Sequence, residues 1–318
     1  MIRFLLPWLF LAVVCVAGAQ EPWPSRPVHI VVPYTPGTGA DILARVLGPK
    51  LAEQWKAAVV TDNRPGATGN IGADAVAKAP PDGYTLLLTA TSFTTNPALK
   101  PAPFDPVKDF APIALLATGG LGVYINPQVP AKNMREFVAL VKSQPGKLYY
   151  SSPGNGGPQH LAMELLKLET GMDMVHVPYK GAAGAITDLV GGHVQAMISA
   201  LQTVAPHVHA GRLRMLAVMS GHRAEAFPDV PTLKEAGLPD LEVETWYAMF
   251  APDGTPGAIV DRVNRDVNEL LKERDVREVL AKQGLDPAGG TPSALGERVK
   301  RELASWTRVV KAAHIKAD

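Results

Sequence analysis

Short runs of β-branched and aliphatic residues recur along this chain, separated by longer stretches with helical spacing, and that alternation restricts the fold more than any other feature. The runs fall at 28–34, 58–63, 84–90, 121–127, 148–153, 175–179, 194–200 and 214–220. Each is short and nearly continuous in apolar character, which reads as a strand buried on both faces. Between them, 40–55, 70–80, 133–144, 157–170 and 182–192 space their apolar residues as helices do. Strands alternating with helices predict an α/β fold with parallel strands joined by right-handed crossovers. After residue 225 the rhythm changes: a Pro-rich connector, FPDVPTLKEAGLPD, leads through VETWYAMFAP to long charged helical segments at the carboxyl end. Their Val, Leu and Ile faces should pack on the outside of the sheet.

The first twenty residues do not fit this pattern. They carry one basic residue, Arg3, an apolar core from Phe4 to Val16, and the small-residue ending Ala17-Gly18-Ala19. That is the layout of a secretory signal, residues 1–19, cleaved after Ala19, with an apolar core short for a membrane-spanning helix. Cys15, the only cysteine, is preceded by Val14 where a lipoprotein signal would want a small residue, so it is read as removed with the signal. The mature chain then has no disulfide, thiol chemistry or cysteine-bound metal. Of 31 basic residues the signal takes one, leaving 30 against 30 acidic. A neutral chain of this kind offers no electrostatic footprint for nucleic acid. At 318 residues, 47% hydrophobic and 19% charged, it is long enough for two domains.

Three strand-to-helix junctions share one chemistry. The first runs Tyr34-Thr35-Pro36-Gly37-Thr38-Gly39-Ala40-Asp41, the second Ser151-Ser152-Pro153-Gly154-Asn155-Gly156-Gly157-Pro158-Gln159-His160, and the third Tyr179-Lys180-Gly181-Ala182-Ala183. Each combines glycines, which let backbone N–H groups approach a ligand, with polar side chains and the positive end of a new helix. Ligands gather at the carboxyl ends of parallel strands. Taken singly, each loop is ordinary punctuation in which Asp41 or Thr38 caps a helix. Their repetition in two halves of the chain is what favours a site.

Other chemistries fit less well. Gly37-Thr38-Gly39 begins a dinucleotide fingerprint, with Asp62 placed to bind a ribose, but Ile42 stands where the third glycine belongs. Neither a G-x-S-x-G elbow nor an H-E-x-x-H helix is present. His207 and His209 lack an evident third ligand, so no metal is expected. His160 is placed to act as a base for Ser152 or to hydrogen-bond a ligand or its own loop.

The segments WPSRPVHIVVPYTPGTGADILAR, NRPGATGNIGADAVAKAPPDGYTLLL, SSPGNGGPQHLAMELLK, HVPYKGAAGAITDLVGGHVQAMIS, HAGRLRMLAVMS, FPDVPTLKEAGLP and APDGTPGAIVDRVN together carry a resemblance. Over nearly the whole mature length, the chain resembles the periplasmic solute-binding proteins of tripartite tricarboxylate transporters, the Bug-type receptors. The resemblance implies an α/β, two-lobed type II periplasmic binding fold, each lobe a mostly parallel sheet flanked by helices, with ligand in the interdomain cleft. Lobe 1 would comprise residues 20–120 and 226–318 and lobe 2 residues 121–225, closing by a hinge about two crossovers.

It further implies a non-catalytic, monomeric receptor in the periplasm, without cofactor. Such a receptor takes a small organic carboxylate (a di- or tricarboxylate, an aromatic acid or an amino acid) to membrane transporter subunits. Carried over residue by residue, the ligand site comprises Tyr34, Thr35, Gly37, Thr38, Gly39 and Asp41 on one lobe. Ser152, Asn155, Gly156, Gln159, His160, Tyr179, Lys180 and Gly181 face them from the other, with Thr91 and Ser92 on the rim. Here Thr38 splits a glycine pair that is often adjacent in the family, so it adds a ligand donor or narrows the pocket. Asp41 either receives a substrate ammonium or caps its own helix, and the resemblance favours the cap. No arginine lies in these loops, which leaves dipoles and Lys180 to hold the anion. The competing expectations are a secreted serine hydrolase built on Ser152 and His160, and a solute sensor for a signalling partner.

Overall fold

The computed structural model describes residues 23–179 and 181–315, so the expected signal segment, residues 1–19, lies outside the described residues. The chain opens with β1 (Val28–Val32), α1 (Gly39–Trp55), β2 (Val59–Asn63), a 3-10 turn at Ala67–Gly69 leading into α2 (Asn70–Ala77), β3 (Thr85–Ala90) and α3 (Ser92–Leu99). It continues through a sixteen-residue β4 (Phe110–Ile125) into α4 (Met134–Ser143), β5 (Tyr149–Ser152), α5 (Pro158–Thr170), β6 (Val175–Pro178), α6 (Ala182–Gly191), β7 (Ala196–Ala200), α7 (Leu201–His209) and β8 (Arg214–Val218). The last part is β9 (Glu244–Pro252), α8 (Gly257–Leu270), α9 (Arg274–Lys282), the two-residue β10 (Asp286–Pro287) and α10 (Pro292–Ala312).

Local chemistry sets many of these boundaries. The Asn133 side chain accepts the Glu136 N–H at 2.9 Å, and the Glu136 carboxylate accepts from the Asn133 amide and the Lys132 N–H, a reciprocal cap that starts α4. Thr291 caps α10 by accepting from Ala294, and Pro292 occupies its first position. Glycines in the left-handed region end α5 at Gly171 and α6 at Gly192.

The strands lie in the order β2-β1-β3-β9-β4-β7-β5-β6, with β8 and β10 also paired to β4. Pairs β1–β2, β1–β3, β5–β6 and β5–β7 are parallel. Every pair that includes β4 or β9 is antiparallel, so the sheet is mixed where the alternation predicted parallel strands. The cause is topological. β4 pairs with β9 from Phe110 to Gly120 and with β7 from Leu121 to Ile125, so it carries the chain out of the first half and β9 carries it back in the opposite direction.

Both faces of each half are covered. Val28, Ile30 and Val32 pack with Leu86 and Leu88 against α1, α8 and α9, while the intervening Val31 and Leu87 face Phe93, Phe104, Phe110, Trp246 and Phe250. The second half repeats this, with Leu121, Val123 and Ile125 on one face and Tyr124 on the other. Phe227 and Leu233, from the Pro-rich connector, pack into the second-half clusters. Helix α10 serves both halves: Leu295 and Val299 join the first, Trp306 and Val309 the second. Among the described residues no helix is long and apolar enough to cross a membrane.

Candidate functional site

The loop after β1 is held from within. The Tyr34 hydroxyl lies 3.0 Å from Thr89 Oγ1 and 2.6 Å from Ser92 Oγ and accepts the Ala90 N–H at 3.1 Å, which pins the loop to the start of α3. Burial raises the Tyr34 pKa above its ordinary value, more than these partners lower it. Gly37 takes φ +86°, a conformation that favours glycine, and donates its N–H to Asp41 at 2.9 Å. Asp41 is 3% exposed, and it also accepts from Arg45 Nε, 3.0 Å from each oxygen, and from the Asn63 amide at 3.0 Å. Burial pushes its pKa up, but the donors Arg45, Gly37 and Asn63 outweigh that and hold it below the usual range.

Of the two roles expected for Asp41, the structure displays the internal one. Thr38, at the N-cap of α1, donates to the Thr35 carbonyl at 3.0 Å, and Thr35 stands exposed. Gly39 lies so close to Tyr247 that a methyl group there would collide with the phenol.

The loop after β5 rests on the buried rings of Tyr150 and His160 and the half-buried ring of His176. Ser152 is fully buried, donates to the Gly154 carbonyl at 2.8 Å and meets His176 Nε2 at 2.7 Å. His160 Nδ1 accepts the Gly156 N–H at 2.9 Å. The His160 and His176 rings stack at 3.7 Å and 12°, and Tyr150 stacks on His176 at 4.9 Å. Beside them, the Tyr150 hydroxyl donates to Glu164, which also pairs with Lys167 at 2.7 Å, and burial followed by the Glu164 charge raises the Tyr150 pKa.

Ser152, with its one proton given to Gly154, is a loop-forming serine, and its imidazole neighbour is His176 where the hydrolase expectation named His160. Tyr179 donates its N–H to the Ser152 carbonyl at 3.0 Å and its hydroxyl to Asp188; burial and then Asp188 push its pKa up to about 12. Gly181, at φ +115°, donates to the Pro153 carbonyl at 2.8 Å and opens α6. Gln159 is the second residue of α5, and Lys180 lies outside the described residues.

Ser92, Asn155 and Gly156 come together in one cavity of about 250 Å³, joined there by Thr68, Thr95, Asn96 and Lys100. The halves touch at this point, since a methyl on Gly156 would strike Leu99 at the end of α3. Tyr34 lines a narrower crevice next to it, shared with Thr68, Asn70, Ser92 and Asn96. Thr91 is buried and spends its hydroxyl accepting the Trp246 N–H at 2.9 Å, a structural role for a residue expected on the rim.

Sequence reasoning missed Thr68, Thr95, Asn96, Lys100 and His176. A signal for the first existed in the segment Arg64-Pro65-Gly66-Ala67-Thr68-Gly69-Asn70, which repeats the glycine-rich entry to a helix seen in the other loops. Ala67 and Thr68 both sit at positive φ, 46° and 56°, where non-glycine residues are strained. Asn96 holds that turn, donating to the Thr68 carbonyl at 2.9 Å and the Asn70 side chain at 3.2 Å.

The walls therefore combine neutral hydroxyls, amides and the start of α5 with Leu99 and the charged Lys100, chemistry suited to an anion. Among the described residues no three His, Cys, Asp or Glu side chains are grouped to hold a metal ion. The family model of the tripartite tricarboxylate transporter receptors matches residues 43–315. The chain belongs to this family.

Receptors of this family are periplasmic binding proteins, and the fold and solute-binding role of this chain are theirs. Protein BugT of Bordetella pertussis is 36% identical over 308 residues, covering 95% of this chain and 94% of that protein. The receptor Rpa4515 of R. palustris, solved with adipate, is 35% identical with a TM-score of 0.74, covering 92% of this chain and 99% of that one. MatC of Rhodopseudomonas palustris, solved with bound malate, is 32% identical with a TM-score of 0.71, covering 91% and 100%.

Proposed function

We propose that this receptor captures a small organic carboxylate between two lobes and hands it, unchanged, to membrane subunits of its transporter. The observation that carries this is the cavity where Ser92, Thr95 and Asn96 of α3 meet Asn155, Gly156 and Gly157 at the start of α5, with no acidic side chain among its described lining residues. In this reading the protein is exported, cut after Ala19, and works as a monomer. Its lobes are bridged by β4 and β9, residues 20–120 and 226–318 against residues 121–225. Family membership and the malate and adipate held by two structural neighbours support a plain acid as ligand.

Asp41 supports the same choice over an amino acid, because three internal donors already occupy its oxygens. The neighbouring loop residues Tyr34, Thr35, Gly37, Thr38 and Gly39 form the first jaw, while Ser152, His160, Tyr179 and Gly181 shape the second from behind. Gln159 and Lys180 complete the assignment on that side.

A thermal-shift screen of the mature protein against mono-, di- and tricarboxylates, aromatic acids and amino acids tests this. Ligand at a hundredfold excess over its Kd adds about 2.7 kcal/mol to stability, a readable shift. Mass spectrometry of the recovered ligand should return it intact; accumulating products would sink the receptor reading. A screen in which only amino acids stabilise the protein would overturn the plain-acid assignment.

A further inference from the structure

We propose that the stacked pair His160 and His176 makes the cavity-lining loop proton-sensitive: neutral His160 holds Gly156 in place, and a proton at its Nδ1 lets the loop go. The consequence for affinity rests on the carboxylate-receptor reading above, whereas the chemistry of the loop depends on no ligand.

Hydrogen-bond roles fix which nitrogens carry protons. Gly156 donates its N–H to His160 Nδ1 at 2.9 Å, so that nitrogen offers a lone pair and His160 is neutral. The Ser152 hydroxyl gives its proton to the Gly154 carbonyl, so its oxygen accepts the Nε2 proton of His176 at 2.7 Å. Between these two bonds the rings lie face to face, 3.7 Å and 12° apart. Protonation of His176 therefore leaves its bond to Ser152 intact, but His160 cannot be protonated without surrendering Gly156. Charge on either ring opposes charge on the other at this separation, so the two titrate together. His160 is 4% exposed, and the half-buried His176 gives solvent its approach to the pair.

The surrounding elements supply the other charges. Tyr150 of β5 stacks on His176 at 4.9 Å and donates to Glu164 of α5, which is paired with Lys167. On α10, Arg298 is paired with Glu302 and Arg308 with Glu169, while Asp188 of α6 accepts from Tyr179. Strand β7 brings no titratable side chain, Lys100 borders the cavity from α3, and Lys180 lies outside the described residues. Simple attraction predicts that an imidazolium behind the start of α5 would draw a carboxylate in and tighten binding in acid. Release of Gly156 predicts the opposite sign.

Nuclear magnetic resonance of the ligand-free mature protein from about pH 8 to about pH 5 spans the ordinary histidine range and tests the switch. The His160 ring nitrogens and the Gly156 amide should titrate with one midpoint. In His160→Asn the side-chain oxygen can accept where Nδ1 did but takes no proton, so the Gly156 shift should stay constant. His176→Gln keeps an N–H for Ser152 and removes the neighbouring charge, so the Gly156 midpoint should move to higher pH. In calorimetry with adipate as the probe, wild-type affinity should fall about threefold from about pH 8 to about pH 6, where carboxylates stay ionised, and His160→Asn should abolish that fall.

A Gly156 amide that does not follow the His160 ring, binding that tightens in acid, or an unchanged acid loss in His160→Asn overturns the inference. Adipate that bound at no pH would count against the carboxylate reading alone, because the resonance measurements are made without ligand.

Discussion

Asp41→Asn separates a loop lock from a ligand contact. The carboxylate is 3% exposed and serves three donors, Gly37 N–H, Arg45 and the Asn63 amide. A hydrogen bond to a charged acceptor nets about 1.5–3 kcal/mol, which would suggest a very large loss if the three were simply added. Two of them must be discounted. The Arg45 side chain is 55% exposed and regains water when released, so its share falls to about 1 kcal/mol or less. Asn63 keeps a second partner, donating also to the Tyr34 carbonyl at 3.1 Å. The asparagine retains one acceptor oxygen but sets an NH₂ against donors, so a net loss of about 2 kcal/mol is expected.

Urea denaturation of the ligand-free protein measures this loss directly. Its pH dependence has a definite sign: the folded pKa of Asp41 lies below its ordinary value, so its stabilisation is complete above about pH 4 and fades as pH falls through the lower, folded pKa. The stability gap between wild type and Asp41→Asn should therefore be flat from neutral pH to about pH 5 and shrink only in stronger acid. Affinity for plain acids should fall modestly, through the loosened 35–39 loop. A variant of native stability that selectively lost an amino-acid ligand would refute the reasoning and put Asp41 against a substrate amine.

Ser152→Ala should cost about 1–2 kcal/mol of stability, because the buried hydroxyl bonds both Gly154 and His176, and affinity should follow indirectly by less than about tenfold. Titration paired with denaturation checks it; affinity lost at unchanged stability would place the hydroxyl on the ligand. Gly39→Ala should cost about 1–3 kcal/mol by driving a methyl into Tyr247, and a double-mutant cycle with Tyr247→Phe should recover part of it. A cycle with no coupling rejects that contact. His160→Ala removes the acceptor of the Gly156 N–H, so hydrogen exchange at Gly156 should quicken sharply while β1 and β3 stay protected. Unaltered exchange at Gly156 would show that the imidazole does not hold the loop.

The contrast between what was legible and what was not has physical causes. Strands such as β1, β3 and β7 are short, mostly apolar runs whose residues are largely buried, and local pattern alone marks them. The first half of β4 escapes that logic: Pro112 and the pair Gly119-Gly120 read as breakers, yet the strand accommodates them with bulges and a close approach to its neighbours. Helix α3, Ser-Phe-Thr-Thr-Asn-Pro-Ala-Leu, is poor in helix formers and is held by tertiary bonds. Its Thr95 and Asn96 were invisible as cavity-lining residues for that reason. His176 was hidden differently, since its role depends on parallel pairing that sets it beside Tyr150 across the sheet. Asn155, Gly156 and Ser92, which line the candidate cavity, could be nominated from sequence because loop glycines and hydroxyls at strand ends announce themselves locally.

The same helix explains how the cavity connects to the rest of the fold. Thr94 of α3 donates to Glu302 of α10 at 3.0 Å, and the Trp246 indole N–H of β9 donates to the same oxygen at 2.8 Å. Arg298 bonds Glu302 and reaches Glu244, whose pKa burial raises above the carboxylate norm in spite of that arginine. One carboxylate thus ties the cavity-lining helix to the returning strand at the place where the halves join, where Glu244 and Thr245 lie opposite Gly120 and Gly119. On the proposed two-lobed reading, α3 belongs to the stationary wall, fixed to both crossing strand and brace. A methyl group at Gly156 would strike Leu99, so any closure on that reading that brings the loop from Pro153 to Gly157 nearer α3 is expected to be limited here. A side chain at Gly156 would hold the jaws apart whatever the ligand, because the space it needs is the space that closure removes.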